Sequence, residues 1–385
     1  MEKKYYLSKD AALKWLELPS VYNIATDELY ELDDQAFELL KRCAGREGCI
    51  VRETEFLDFC LGEGLLVNEE REGSVIPLRQ SPVPSLRYLE LQITHRCNLR
   101  CRHCYIGEKN PKDLDIETIR RILGEFEDMQ GLRVLITGGE PLLHPRFDEL
   151  NSLLPDFAVR KVLFTNGLLL DEGRIKDLMV HEIQVSIDGL EEGHDWIRGK
   201  GTFAKAIRGV EAALDAGFGV SISTMVHARN LNDFPEMEKL FKKLGIKDWT
   251  VDVPCETGTL GENPGLVPPP ETAGRYLNFG FGKGPHGGGE GYACGSHLMC
   301  LFPDGRAAKC GFYAHDTVGD CKEGLDACWK RIRHLKLDEL ECDCRFMEVC
   351  RGGCRFRATV IAHAAARDPY RCAGLHAYEA ERDDP

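Results

Sequence analysis

Apolar positions along this chain first alternate in short bursts and then settle into a repeating exchange between period two and period 3.6, the signatures of strand and amphipathic helix. Tyr5-Tyr6-Leu7, Val21-Tyr22-Asn23-Ile24 and Leu29-Tyr30-Glu31-Leu32 read as strands, with a turn at Thr26-Asp27. Asp33 and Asp34 stand where an N-cap belongs, ahead of the helical positions Phe37, Leu39 and Leu40, and Gly45 follows as a stop. A second helix carries Phe56, Leu57 and Leu61 and ends at Gly62 or Gly64, before a closing strand at Leu65-Leu66-Val67. Past a polar segment from Asn68 to Pro84, strands are predicted at Tyr88–Thr94, Val134–Thr137, Lys161–Thr165, Ile183–Ile187, Gly219–Val226 and Asp248–Val253. Helices at Glu117–Met129, Arg146–Leu154, Gly173–Val180, Phe203–Ala216 and Asp233–Leu244 fill the gaps, which calls for a parallel sheet with right-handed crossovers. A Pro- and Gly-rich stretch from Gly258 to Gly291, with Pro268-Pro269-Pro270 and Gly287-Gly288-Gly289, breaks the rhythm and reads as a linker or active-site loop.

A chain of 385 residues accommodates two or three domains. They are expected at 1–68, 87–255 and 294–385, joined by segments 69–86 and 256–293. The net charge of -14 argues against a partner gripped through nucleic-acid phosphate. Residues 1–68 have the element order of a winged helix, but 8 Lys and Arg against 14 Asp and Glu is the wrong balance for reading DNA. A peptide-accepting sheet edge and a plain packing unit both remain open for it. With no N-terminal apolar run bearing a basic flank, and no stretch of about 18 apolar residues, no membrane partner is expected and a cytoplasmic enzyme is the default. Seventeen cysteines in such a chain, an odd number in clusters, fit metal ligation in a reducing compartment better than a disulfide framework. Cys43, Cys49 and Cys60 have no ligand-like spacing and read as small buried apolar groups.

The densest chemistry is Cys97-Asn-Leu-Arg-Cys101-Arg-His-Cys104. Three thiolates in one loop suit one face of a [4Fe–4S] cube and leave its fourth iron for a ligand that is not protein. A zinc site is the competing reading, although zinc usually takes CxxC pairs and closes four ligands. The supporting stretches Gly138-Gly139-Glu140-Pro141, Thr165-Asn166-Gly167 and Ser186-Ile187-Asp188-Gly189 each fall at the C-terminal end of a predicted strand, where barrel chemistry collects. Singly these are ordinary turn sequences; their order on consecutive strands is what makes them specific.

Together these motifs resemble the radical S-adenosylmethionine family. The resemblance implies a six-stranded partial (β/α)6 barrel, so the expected fold class is α/β, with an N-terminal winged-helix-like domain and a C-terminal cysteine-rich iron–sulfur domain. It also implies a first cluster on Cys97, Cys101 and Cys104, with S-adenosylmethionine chelated to the open iron and cleaved reductively. Cofactor contacts are implied for His103, Gly138, Gly139, Glu140, Asn166, Ser186, Asp188 and Arg198. Among these, the Gly-Gly-Glu stretch meets the amino group, Ser186 the ribose and Arg198 the carboxylate, which a guanidinium can grip with two parallel hydrogen bonds. His103 departs from the aromatic residue usual just before the third cysteine.

The later cysteines are similar to the extension called SPASM. By that resemblance Cys294, Cys300, Cys310 and Cys354 hold one auxiliary [4Fe–4S] cluster, and Cys342, Cys344, Cys350 and Cys372 a second, giving three clusters in all. Cys342 and Cys344 are separated by one residue where the pattern has two. Structural zinc is again the alternative. Cys321 and Cys328 read as packing residues, and Cys255, just past the sixth strand, is placed near the barrel mouth. The N-terminal element order resembles leader-peptide-recognition domains. The expected activity is therefore oxidative crosslinking or cyclisation of a ribosomally made peptide with a leader segment, fed by a low-potential donor such as ferredoxin or flavodoxin. A radical enzyme acting on a tetrapyrrole or other small cofactor precursor, and a non-catalytic redox sensor, are the alternatives. Gly311 stands where sulfatase-type maturases carry an aspartate, which counts against that activity, and no general base is assigned.

Overall fold

The computed structural model describes residues 3–382 apart from 53, 70–77, 108–110, 264, 285 and 287–290, with no side chains described for 378–382. Part of the expected linker at 69–86 and the Gly287-Gly288-Gly289 run thus lie outside the described residues.

The N-terminal unit runs β1 (Lys4–Leu7), β2 (Ala11–Trp15), β3 (Pro19–Asn23), β4 (Glu28–Glu31), α1 (Asp34–Cys43), β5 (Cys49–Ile50), α2 (Glu55–Gly62) and β6 (Leu66–Val67). Asp33 caps α1 by accepting from the Ala36 N–H at 2.8 Å. Thr54 does the same for α2 through Leu57. The strands form two small antiparallel sheets, β5-β1-β6 and β2-β3-β4, and β2 went unseen in the alternation. Cys43 and Cys49 form a disulfide that pins the end of α1 to β5, where two separate apolar groups were expected. Cys60 is a core residue.

The main sheet begins with β7 (Tyr88–Thr94), α3 (Ile116–Asp128), β8 (Arg133–Gly138), α4 (Phe147–Leu153), β9 (Arg160–Thr165), α5 (Glu172–Ile175), β10 (Glu182–Ser186), α6 (Glu191–Arg198), α7 (Thr202–Asp215), β11 (Gly219–Met225), α8 (Phe234–Leu244) and β12 (Asp248–Asp252). All six strands pair in parallel with their neighbours. α3 shows why this architecture holds: Ile116, Ile119, Ile122, Leu123 and Phe126 form one buried stripe on the sheet, each worth about 2 kcal/mol. The helix expected at Gly173–Val180 stops early, because the Asn151 side chain captures the Met179 N–H at 2.8 Å and donates to the Asp177 carbonyl at 2.6 Å.

After α9 (Pro270–Ala273) come β13 (Leu298–Leu301), β14 (Arg306–Ala308), β15 (Gly319–Asp320), α10 (Leu325–Arg331), α11 (Met347–Cys350), α12 (Arg355–Ile361) and α13 (Pro369–Arg382). β13 pairs in parallel with β7, and β14 and β15 follow antiparallel, so the sheet has nine strands where six were expected. The cysteine-rich region thus grows directly from the edge of the barrel sheet.

The N-terminal unit is bolted to the end of the sheet where strands begin. Lys14, buried, donates to the Gly131 and Ala158 carbonyls at 2.8 and 3.3 Å, and burial lowers its ammonium to about 8. Arg133, the first residue of β8, donates to Asp27 at 2.8 Å, and Arg160, the first of β9, to the Ile24 and Ala25 carbonyls at 2.8 and 2.9 Å. Ala12, Leu16, Tyr22 and Ile24 close a shared apolar patch over Leu132.

Candidate functional site

β7 delivers the Cys97–Cys104 loop at the opposite end of the sheet, and the loop is pinched at its base. Thr94 donates to Asp113 at 2.6 Å, Arg96 pairs with the same carboxylate at 2.9 Å, and the His95 N–H meets the Lys112 carbonyl at 2.9 Å. Gly138 and Gly139 lie flat on the entering arm: the Gly139 N–H donates to the Thr94 carbonyl and the Glu140 N–H to that of Arg96, both at 2.7 Å. A Cβ on either glycine would run into those carbonyls, and Gly138 has φ +146°. Their glycine requirement comes from the cysteine loop's own backbone, where approach to a ligand was expected.

Glu140 is likewise turned inward. Fully buried, its carboxylate accepts from the Thr165 hydroxyl at 2.8 Å and the Asn166 N–H at 2.9 Å, and burial pushes it up to about 7 against those bonds. Asn166 in turn donates to Asn98 within the loop at 2.7 Å. The predicted contacts Glu140 and Asn166 therefore serve here as a brace joining the ends of β8 and β9 to the cysteines.

At the end of β10 lies Ser186, half-buried beside Ser223 of β11. Asp188, fully buried, takes the Arg198 Nε at 2.5 Å, stands 3.3 Å from the His103 Nε2 and accepts from the Met225 N–H at 2.8 Å. Burial would raise its carboxyl, but Arg198, then His103 and the Met225 N–H, hold it well below the usual carboxylate range. His103 is mostly shielded, its side chain 10% exposed, and its imidazole is lowered to about 4 by desolvation, with Asp188 opposing and Arg198 assisting; its Nδ1 has no hydrogen-bond partner among the described residues. Arg198 lies close enough to Cys101 to pull down a thiol that burial pushes up to about 11. The loop, His103, Asp188 and Arg198 thus converge, with cationic guanidinium and an unsatisfied imidazole nitrogen beside the three thiols. That donor set fits an anionic thiolate-ligated cluster and a zwitterionic ligand at its open corner. The Leu99 N–H already points at the Cys97 sulfur, 3.4 Å away.

Two further segments support the loop, one of them at the start of the Gly258–Gly291 stretch. α6 holds the loop from one side: the Arg102 N–H donates to the Ile197 carbonyl at 2.9 Å, and its guanidinium lies over the Trp196 ring at 4.5 Å. From the other, the Thr259 N–H and hydroxyl reach the Cys104 and Cys101 carbonyls at 2.9 and 3.0 Å, and Asn263 donates to the Arg102 carbonyl at 3.2 Å. The contacts of Arg102, Trp196, Thr259 and Asn263 are specified by no sequence motif.

Several of the later cysteines lie near enough to one another to interact electrostatically. Cys354 interacts with Cys294 and Cys310, and Cys310 with Cys300. Cys372 interacts with Cys342, Cys344 and Cys350. Cys300 is fully buried on β13 opposite Glu90, its thiol raised by burial and then by that carboxylate. Glu90 also accepts from the Gly311 N–H at 3.0 Å and the Tyr105 hydroxyl at 3.2 Å, so one side chain links the residue after Cys104 to the residue after Cys310. Cys321 and Cys328 are core residues. Among the described residues no three Cys, His, Asp or Glu side chains converge as a single metal ion requires.

Residues 91–241 match the Radical SAM superfamily. An AdoMet-dependent heme synthase of Nitratidesulfovibrio vulgaris is 25% identical over 332 residues, covering 71% of this chain and 89% of its own. The mycofactocin maturase MftC of Mycobacterium ulcerans is 29% identical over 303 residues, covering 69% and 82%. The crystal structure of Streptococcus suis SuiB bound to precursor peptide SuiA superimposes with TM-score 0.69 and 15% identity over 94% of this chain and 98% of that one, a likeness of fold.

Proposed function

We propose that this chain, which carries a radical SAM domain over residues 91–241, is an enzyme that oxidatively modifies a ribosomally made peptide, by crosslinking or cyclising it. The observation that carries this reading is the reach of the likeness: a fold known with a precursor peptide bound extends over 94% of the chain, the N-terminal unit included.

Cys97, Cys101 and Cys104 would hold the first [4Fe–4S] cluster, with S-adenosylmethionine on its open iron. When bound, that pair supplies a 5′-deoxyadenosyl radical able to take hydrogen from an unactivated C–H bond. The chain's own part is placement. Glu140, Asn166 and Asn98 lock the loop to two strand ends, and Asp188 fixes Arg198 and His103 beside it. Arg198 keeps further N–H donors for a carboxylate. Cys294, Cys300, Cys310 and Cys354, and Cys342, Cys344, Cys350 and Cys372, would hold two auxiliary [4Fe–4S] clusters in a SPASM-type region, giving an outlet for the electron that oxidation releases.

The N-terminal unit is the proposed leader reader. β4 is an edge strand of its sheet, and Tyr30 on it meets the half-exposed Phe59 of α2 edge to face at 5.1 Å, with Phe56 stacked behind at 6.4 Å. Such an edge pairs with an extended peptide, and the rings offer pockets for its side chains. A ferredoxin or flavodoxin would supply electrons, in the cytoplasm; among the described residues no helix is long and apolar enough to cross a membrane.

The heme synthase relative favours a second reading, a tetrapyrrole substrate. Reconstituted, reduced full-length protein incubated with S-adenosylmethionine separates the two. We expect 5′-deoxyadenosine and methionine, with a mass loss of two hydrogens in a leader-bearing peptide encoded nearby. Turnover of an iron–coproporphyrin in place of the peptide would move the assignment to the second reading, and no nucleoside at all would end both.

A further inference from the structure

The turn that leaves β11 grips Asp188 by its backbone. The Asp188 carbonyl accepts two side-chain bonds from that turn, one from the His227 Nε2 at 2.8 Å and one from the Asn230 Nδ2 at 3.0 Å. All three residues are fully buried. The His227 Nδ1 accepts the Arg229 N–H at 3.2 Å, so the hydrogen of the neutral ring sits on Nε2, where the carbonyl needs it. Asn230 also donates to the Met225 carbonyl and accepts the His227 N–H, both at 2.9 Å, which ties the turn to the strand end. The Asp188 N–H is taken by the Nδ1 of His194 on α6 at 3.1 Å. With the Met225 N–H, Arg198 and His103 at its carboxylate, every polar atom of Asp188 is engaged. The His227 ring also lies within 20° of parallel to that of Trp196, 6.3 Å between centres, on the helix that carries Arg198.

We infer that His227 and Asn230 are positioning residues for S-adenosylmethionine, acting through Asp188 on the direction in which Arg198 and His103 face the first cysteine loop. The Asp188 carboxylate takes the Arg198 Nε at 2.5 Å and lies 3.3 Å from the His103 Nε2, so a shift of its backbone carries both side chains with it. A guanidinium grips a carboxylate through two parallel bonds, a geometry that tolerates little rotation. Two donors on one carbonyl remove that rotation at its source. The inference rests on Arg198 meeting the carboxylate of bound S-adenosylmethionine.

The test is the S-adenosylmethionine dissociation constant, by anaerobic equilibrium dialysis against reconstituted full-length protein, with low-temperature EPR of the reduced first cluster as the nucleotide is added. His227→Leu and Asn230→Ala should each weaken binding roughly tenfold, what one buried hydrogen bond is worth, and raise in step the concentration that changes the cluster spectrum, with iron content unchanged. His227→Gln keeps a donor near the Nε2 position and should bind as wild type does. Thr224→Val controls for mere loosening of the fold. It deletes an equally buried bond, from the Thr224 hydroxyl to the Ile187 carbonyl at 2.6 Å, and should lower the urea midpoint while leaving the dissociation constant alone. Wild-type affinity in either His227→Leu or Asn230→Ala, or equal weakening in His227→Gln or Thr224→Val, overturns the inference alone. Arg198→Ala binding as tightly as wild type removes the premise and the inference with it. Should His227→Leu not fold, Asn230→Ala against Thr224→Val decides by the same ratio.

Discussion

The two thiol-bearing regions are built on opposite plans. The first keeps its three cysteines in one short loop and is braced by neighbours: Gly139, Glu140 and Thr259 donate to carbonyls of its arms, and its Arg102 N–H donates to the Ile197 carbonyl. The second draws its cysteines from a strand, a hairpin and short helices spread over 294–372, and secures them with buried charge, chiefly Arg357 against Asp368 and Asp252. A loop whose ligands are local can spare a corner for a substrate-like guest. Under the proposed assignment, ligands gathered from separate segments would also staple those segments together.

The largest effect is expected at the first cysteine loop. Cys101→Ala should abolish S-adenosylmethionine cleavage and remove about four irons while the auxiliary signals persist, checked by nucleoside release and EPR. Arg357→Ala should do the reverse. It leaves Asp368 buried without its cation, which costs about 3–5 kcal/mol in denaturant unfolding and disturbs the auxiliary signals first.

Glu140 sharpens the contrast through pH. Its carboxyl titrates higher in the fold, at about 7, than in an unfolded chain, so the folded state binds the extra proton between roughly pH 4.5 and 7. Stability should therefore fall by up to about 3 kcal/mol as pH rises through that window. Glu140→Gln should flatten this slope, measured by urea midpoints at pH 5 and 7.5. Asn98→Ala removes a single brace to Asn166 and should cost only about 1 kcal/mol, with a broadened first-cluster signal.

Much of this was legible in advance where periodicity was strong. β7 runs from Tyr88 to Thr94 as expected, and the other barrel strands agree within a residue at each end. α6 escaped notice because Glu191–Arg198 contains Gly193 and its N-cap, Leu190, offers no capping oxygen. β13 has four residues and pairs with a strand some 200 positions earlier, a contact that no local pattern encodes. The Cys43–Cys49 bond was missed for the opposite reason, since the absence of a secretion signal pointed toward reduced thiols. The cysteine loop is the clearest feature, and its companions carry structural contacts as well. Gly138 and Gly139 also pack on the entering arm of the cysteine loop, and Glu140 hydrogen-bonds Thr165, contacts that the motif alone does not announce.

The mounting of the N-terminal unit under the strand starts sets a length requirement. Arg133 and Arg160 anchor it at one rim, and the thiols stand at the other, a strand's height away, or roughly 20 Å for six or seven residues. A precursor held on β4 would have to run up the outside of the barrel before any of its side chains met the radical. The protein would thus work as a ruler, passing over residues next to the captured stretch however well their chemistry suited it.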